Sequence, residues 1–363
     1  MNKNLSKKRL IWLDQIKGLA ILGIVFFHFF QNYPKSIPLI EFLAVHGAKV
    51  GFAAVDIFFL LSGFHIGTKL INFNNYSWLT WLNQRVIRIY PTYWLAIIFS
   101  IFIYLIASYP LKSINFSDWI LILSGFPGYE RFKLINPGFW FVSVIIQAYL
   151  VMPLLLYITQ NKPKKILLLG ISLGILNKIV CWWAGATDNQ ELYWFFLQNN
   201  FLSSYIFPLC LGIYWGFIYS NYHSFRNLDW QVAIIACLLG LIIQINAALI
   251  DFDFLYKLGL DLFYTPLIFL LLFYFCEQLT SKLFLVEKKL QLIGLYSYQI
   301  YLIHQPLFFV LLNFVANRFD LNSYQSLVIT ISIVMIILSL YVYLFTQTDV
   351  VFRKLMGNIY KNA

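Results

Sequence analysis

Long apolar stretches, each closed by a short polar or basic interruption, divide the chain into ten segments at approximately 11–32, 47–69, 90–108, 138–159, 165–184, 203–220, 231–250, 257–278, 292–314 and 325–346. Each reaches or approaches the ~20 residues with which an α-helix crosses a hydrocarbon core ~30 Å thick. Ten-residue stretches of apolar and polar alternation, the mark of a membrane β-barrel, are absent from the sequence. The pattern therefore predicts an all-α polytopic membrane protein, a bundle of about ten transmembrane helices. A further run, DWILILSGFPG from Asp118, is too short to span and reads as an interfacial or re-entrant segment.

Composition agrees: 61% of the 363 residues are hydrophobic and 11% charged, against roughly 45–50% and 25% in an ordinary soluble domain. A formal charge of +11 would suggest nucleic acid in a soluble protein. Here most of the Lys and Arg fall on the N-terminal arm, the even-numbered loops and the tail, which by the positive-inside rule places both termini in the cytoplasm. The partner of these charges is thus the lipid bilayer, and no nucleic acid is expected. The first apolar stretch has no small-residue cleavage site and is expected to remain as a helix. The loops are short apart from that between about Tyr109 and Pro137, so residues 1–363 read as a single transmembrane domain without internal repeats. Cys181, Cys210, Cys237 and Cys276 lie in or at the ends of apolar segments without metal-ligand spacing. Nothing calls for a metal or a permanently bound cofactor.

Ionisable groups within spans are expensive and mark candidate sites. On the first helix Lys17 and His28 are eleven residues apart, three turns plus about 20°, with a rise of about 16 Å. They share one face, the lysine at the cytoplasmic end and the imidazole near mid-membrane, with Asp14 near the same stripe. Taken singly, His28 fits an interhelical hydrogen bond as well as it fits chemistry. Asp56, in AAVDIFFLLSGF, is also deep and must be protonated, paired or wet. Arg85 and Arg88, in NQRVIRIYPTYW, stand one turn apart and suit phosphate oxygens, although a basic collar gives the same pattern. The neighbouring Trp78, Trp81, Tyr90 and Trp94 read as an interfacial belt. In IGLYSYQIYLIHQP, Gly294, Ser297, Tyr301 and His304 are spaced to line one face before Pro306, and Ser143 and Gln147 lie one turn apart on the fourth helix. Such stripes line a wet cavity or hold helices together.

Five blocks in order, LDQIKGLAILGIVFFH, VDIFFLLSGF, RVIRIYPTYW, WFVSVIIQAYLVMPLL and GLYSYQIYLIHQPLF, resemble those of acyltransferase family 3. Members of that integral-membrane family move an acyl group, usually acetyl, onto cell-surface carbohydrates. Two departures suggest a divergent subgroup: Lys17 replaces the usual first-helix Arg, and Ile145 and Ile146 stand where many relatives carry paired carboxylates. No appended extracytoplasmic esterase-like domain is expected.

The resemblance implies a multi-pass O-acetyltransferase of a bacterial plasma membrane, with acetyl-CoA or another acyl-CoA as donor. A carbohydrate or lipid-linked glycan would be the acceptor, and a polysaccharide biosynthesis complex a possible setting. Lys17, Arg85 and Arg88 would hold the donor phosphates. His28, expected to be neutral among apolar side chains, would act as base or acyl carrier. Asp56 would orient a catalytic group, with Ser143, Gln147, Tyr301 and His304 as acceptor or neighbouring contacts. His46, His65 and His223 fit solvation better, and Lys178 and Asp261 lie in the outer halves of their helices. Two other classes share part of the pattern, a transporter or flippase for a lipid-linked saccharide and a non-catalytic subunit of a polysaccharide synthesis complex. The ordered blocks and the absent repeat favour the enzyme.

Overall fold

The computed structural model describes residues 10–34, 37–70, 77–110, 113–126, 129–187, 201–249, 254, 258–280, 283–316, 318 and 324–362. All regular structure among them is helical, as lipid demands of a chain that must satisfy its backbone polar groups internally. In chain order the helices are α1 (Ile11–Gln31), α2 (Pro38–Gly67), α3 (Trp78–Ile106), α4 (Phe116–Ser124), α5 (Tyr129–Phe132), α6 (Trp140–Thr159), α7 (Pro163–Ala186), α8 (Ile206–Tyr222), α9 (Asn227–Leu249), α10 (Thr265–Thr280), α11 (Phe284–Leu295), α12 (Ser297–Ala316) and α13 (Tyr324–Asn362). Short 3-10 turns, Pro137–Phe139 and Leu202–Tyr205, lead into α6 and α8.

Nine of the helical segments among the described residues are long and apolar enough to cross a membrane. The difference from the ten expected spans lies at 257–278, whose described residues are helical only from Thr265. Residues 258–264 run in turns, with Gly259 at φ 77°. Pro266, tolerated in a first turn because its missing N–H would have had no partner there, marks the start of α10. The segment expected at 292–314 is also divided, α11 ending before Tyr296 and α12 beginning at Ser297. Gly294 therefore belongs to a different helix from Tyr301 and His304.

α8 is the centre of the bundle, 89% of its most apolar window being buried, whereas α9 at 17% and α13 at 22% are left to lipid. Close approach of backbones makes that centre. Gly63 and Gly67 of α2 face Gly212 and Gly216 of α8, and a Cβ on any of the four would run into a carbonyl oxygen, of Leu209, Ile213, Leu60 and Phe64 respectively. This is the small-residue packing that lets apolar helices associate where lipid removes the hydrophobic incentive. Gly18 of α1 and Gly294 of α11 meet the backbones of Leu290 and Asp14 in the same way. Trp12 joins α1 to the centre, its rings set edge-on to Phe64, Tyr219, Phe269 and Phe273 and its Nε1 donating to Tyr219 Oη at 3.1 Å.

The short DWILILSGFPG segment forms α4, capped by Gly125 in the left-handed region at φ 78°. Its last carbonyls, which no intrahelical N–H reaches, accept hydrogen bonds from the middle of α3. Tyr93 Oη donates to Ile122 O at 2.6 Å, Trp94 Nε1 to Leu123 O at 3.0 Å and Tyr90 Oη to Ser124 O at 2.7 Å. Tyr90 and Trp94 thus serve as caps rather than only as an interfacial belt.

Candidate functional site

Two cavities flank the middle of the bundle, and α1 contributes to both. The first, about 220 Å³, opens at the basic end and is lined by Asp14, Lys17, His65, Arg85, Arg88 and Arg353, together with Phe141, Ile145, Ser297, Tyr298 and Tyr301. α3 begins at Trp78, twelve residues ahead of the apolar stretch expected at 90–108, because a polar and aromatic turn continues a helix that hydropathy alone ends early. Arg85 and Arg88 therefore project from within α3, ahead of Pro91. The Arg85 guanidinium lies 5.2 Å from the Trp81 ring centre and 5.4 Å from that of Tyr149, held by cation–π contact. Lys17 Nζ lies 3.4 Å from Asp14 Oδ1.

The fourth cation, Arg353, arrives from α13, which runs past the expected end at 346. Its Nε donates to both oxygens of Asp349 at 3.1 Å and its Nη2 to Thr92 Oγ1. Thr92 Oγ1 in turn donates to Asp349 Oδ1 at 2.6 Å, and Gln299 Nε2 to Asp349 Oδ2 at 3.3 Å. Three helices thereby hold one guanidinium in place.

The second cavity, about 420 Å³, lies toward the other end and is lined by His28, Gln31, Asn32, Trp140, Tyr301 and Gln305, with apolar walls from Ile24, Phe27, Val55 and Phe309. Tyr301 lines both cavities. His28 is half-buried, its ring open to the second cavity. Its Nδ1 lies 3.0 Å from Gln31 Oε1, and the Gln305 amide nitrogen is 3.0 Å from Nδ1 and 3.3 Å from Nε2. Pro306 lacks the N–H that would bond Leu302 O, and Asn136 Nδ2 donates to that carbonyl instead, at 2.7 Å. The turn carrying Pro137 and Trp140 is thereby tied to α12 beside Gln305.

Residues 10–344 match the family described as an acyltransferase domain. The chain belongs to this acyltransferase family. Peptidoglycan O-acetyltransferase OatA of Listeria monocytogenes serovar 1/2a is 26% identical over 214 residues, covering 52% of this chain and 32% of that protein. The chain thus spans about a third of the length of that relative. No solved structure matches the chain.

Within the acyltransferase domain, the structure brings Lys17, Arg85 and Arg88 to one cavity and His28 to the other, with Tyr301 between them. His304 is fully buried, its ring centre 5.2 Å from that of His28. Asp56 is placed elsewhere: it accepts from Thr265 Oγ1 at 2.8 Å and lines neither cavity, so the side chains that hold His28 are Gln31 and Gln305. Near Asp56, Lys178 and Asp261 form a buried ion pair at 2.7 Å. Ser143 and Gln147 also lie outside both cavities. Gln147 Nε2 donates to Ser143 Oγ at 3.5 Å and its Oε1 accepts from Leu202 N at 3.1 Å, tying α6 to the turn before α8. Ile145 lines the basic cavity and Ile146 packs near Gly125, so no carboxylate enters from α6.

Several cavity residues have no place in the sequence reading, among them Gln31, Asn32, Trp140, Gln305 and Arg353. His65 is exposed, in keeping with its expected solvation, and the space it opens to is the basic cavity, which it lines from α2 with Phe58, Leu61 and Ser62. Gln305, an uncharged amide next to His304, gives no separate signal in the sequence. Arg353 lay beyond the last apolar stretch, although its partner Asp349 stands one turn away at i−4.

Proposed function

We propose that the chain is a membrane O-acetyltransferase that takes an acetyl group from acyl-CoA at its cytoplasmic face and passes it to a hydroxyl of a surface or lipid-linked carbohydrate. One observation carries this reading: a cavity with four cationic side chains and a cavity holding His28 are served by the same helix and share Tyr301. Lys17, Arg85, Arg88 and Arg353 offer the charge that the phosphates of the donor require. About 16 Å of helix rise separates Lys17 from His28, a distance suited to the extended pantetheine arm, so the thioester would meet the imidazole at Tyr301. On the far side Trp140 supplies an apolar face, and Gln31, Asn32 and Gln305 supply amides, a set suited to a sugar ring and its hydroxyls.

His28 is the base in this reading. It removes the proton of the acceptor hydroxyl as the oxygen attacks the thioester carbon, and the proton returns to the departing CoA sulfur. The name of the Listeria relative, which specifies peptidoglycan O-acetylation, supports a glycan acceptor and an acetyl donor. The test is transfer by the purified protein in vesicles with labelled acetyl-CoA. His28→Ala is expected to abolish esterification of glycan while acetyl-CoA binding remains. A variant that esterifies glycan as well as the parent removes His28 from the chemistry.

A further inference from the structure

The His28 cavity poses a charge problem that the proposed reaction must solve. No carboxylate among the described residues lines it, yet a histidine that takes a proton there becomes a cation in a low-dielectric setting, an expensive state without a partner. The nearest described answer is a second imidazole. His304 Nδ1 lies 3.1 Å from Ile300 O and 2.9 Å from Tyr301 O. Both are acceptors, so Nδ1 carries the hydrogen and, in a neutral ring, Nε2 carries the lone pair. That Nε2 is buried and has no hydrogen-bond partner among the described residues. Its ring centre is 5.2 Å from that of His28, at an interplanar angle of 39°, a separation that a single water can bridge.

A buried acceptor left without a partner ordinarily costs stability, and its presence calls for a reason. The His28 ring shows a complementary state. The Gln305 amide lies against both ring nitrogens, 3.0 Å from Nδ1 and 3.3 Å from Nε2, so a neutral His28 keeps a lone pair within its reach whichever nitrogen carries the hydrogen. The His304 tautomer is thus fixed by two backbone carbonyls, and the two imidazoles stand side by side, His28 facing the cavity and His304 behind it.

Resting on the transfer reaction above, we propose that His304 is the proton-holding partner of His28. It is a positioning residue whose Nε2 shares the proton taken from the acceptor hydroxyl until CoA leaves. The balance is simple. The C–O bond forms and the C–S bond breaks, the hydroxyl proton passes to the histidine pair and then to the CoA sulfur, and both rings end neutral. No oxidant, reductant or further co-reactant is needed.

His304→Asn keeps a donor for the Ile300 and Tyr301 carbonyls and removes the ring lone pair. It is expected to lower kcat about 10²-fold, a usual size for a lost proton-transfer aid, with the KM for acetyl-CoA unchanged. His304→Gly is expected to regain activity on addition of free imidazole. Parental kcat in a folded Asn variant, or a glycine variant that binds donor and is not rescued, overturns the proposal. Nitrogen-15 NMR of histidine-labelled parent protein judges it even if both variants fail to fold: His304 Nε2 should resonate as an unprotonated ring nitrogen, and an Nε2–H overturns the assignment. If the parent transfers no acetyl group while His304 shows the expected tautomer, the reaction proposed above has failed, whereas a transferring parent with fully active His304 variants sinks the histidine pair alone.

Discussion

Arg353 reaches the basic cavity because Asp349, one turn earlier on α13, grips its Nε with both carboxylate oxygens and Thr92 fixes its far nitrogen. A guanidinium held in this way loses little side-chain entropy when a phosphate arrives, which favours Arg over the flexible ammonium of Lys. Arg353→Ala is expected to raise the KM for acetyl-CoA about tenfold, the effect of losing roughly one charge-assisted hydrogen bond, with a smaller change in kcat. Arg353→Lys should recover part of that loss. Steady-state kinetics at fixed ionic strength checks both, and an unchanged KM in the alanine variant removes Arg353 from the donor site. At this scale, legibility followed depth. His28 and Lys17 stood out because polar residues on an apolar helix are costly wherever they point, and helical spacing placed them on one face. Asp56 stood out for the same reason, but cost says only that a partner exists. Its partner, Thr265, is 209 positions away, at the start of a helix whose beginning the apolar pattern misplaced.

The elements depend on backbone contacts that hydropathy does not register. The four glycines between α2 and α8 sit in G-x-x-x-G spacing on both helices, a signal present in the sequence and overshadowed by the apolar runs around it. Gly212→Val should push the helices apart against the Leu60 carbonyl, costing at least the ~1–3 kcal/mol typical of overpacking and lowering the temperature of unfolding in detergent. Gly47→Ala, where a Cβ would make ordinary contact with Phe27 at 3.7 Å, is expected to change stability by less than about 0.5 kcal/mol. Equal melting of the two variants would mean that the α2–α8 crossing is looser than it stands here. The place of α4 illustrates the opposite limit. Its shortness was legible as a failure to span, but its caps come from Tyr90, Tyr93 and Trp94, whose aromatic character suits a membrane interface just as well. Only the tertiary arrangement distinguishes these uses.

Across the whole molecule the two cavities give α1 a direction, from Lys17 at the basic end to His28 toward the other. Composition alone made the membrane class legible, and the distribution of Lys and Arg predicts a cytoplasmic basic end, which orientation-resolved assays check. The partition between the cavities was not legible, since Tyr301 belongs to both only through the packing of α12 against α1. A transfer route through the membrane makes a directional demand. In vesicles of known orientation, acetyl-CoA should support esterification only from the face that carries Arg88, and the ester should appear on glycan presented at the other. Single cysteines report the same geometry independently. Arg88→Cys and Gln31→Cys should react with an impermeant maleimide from opposite sides, against a background lowered by the burial of Cys181, Cys210 and Cys276 and by replacing the half-buried Cys237 with Ser. Labelling of both positions from one side would place the two cavities on the same face. A donor equally effective from either face would show that the acyl group does not enter through the cationic cavity, however well its four cations suit a phosphate.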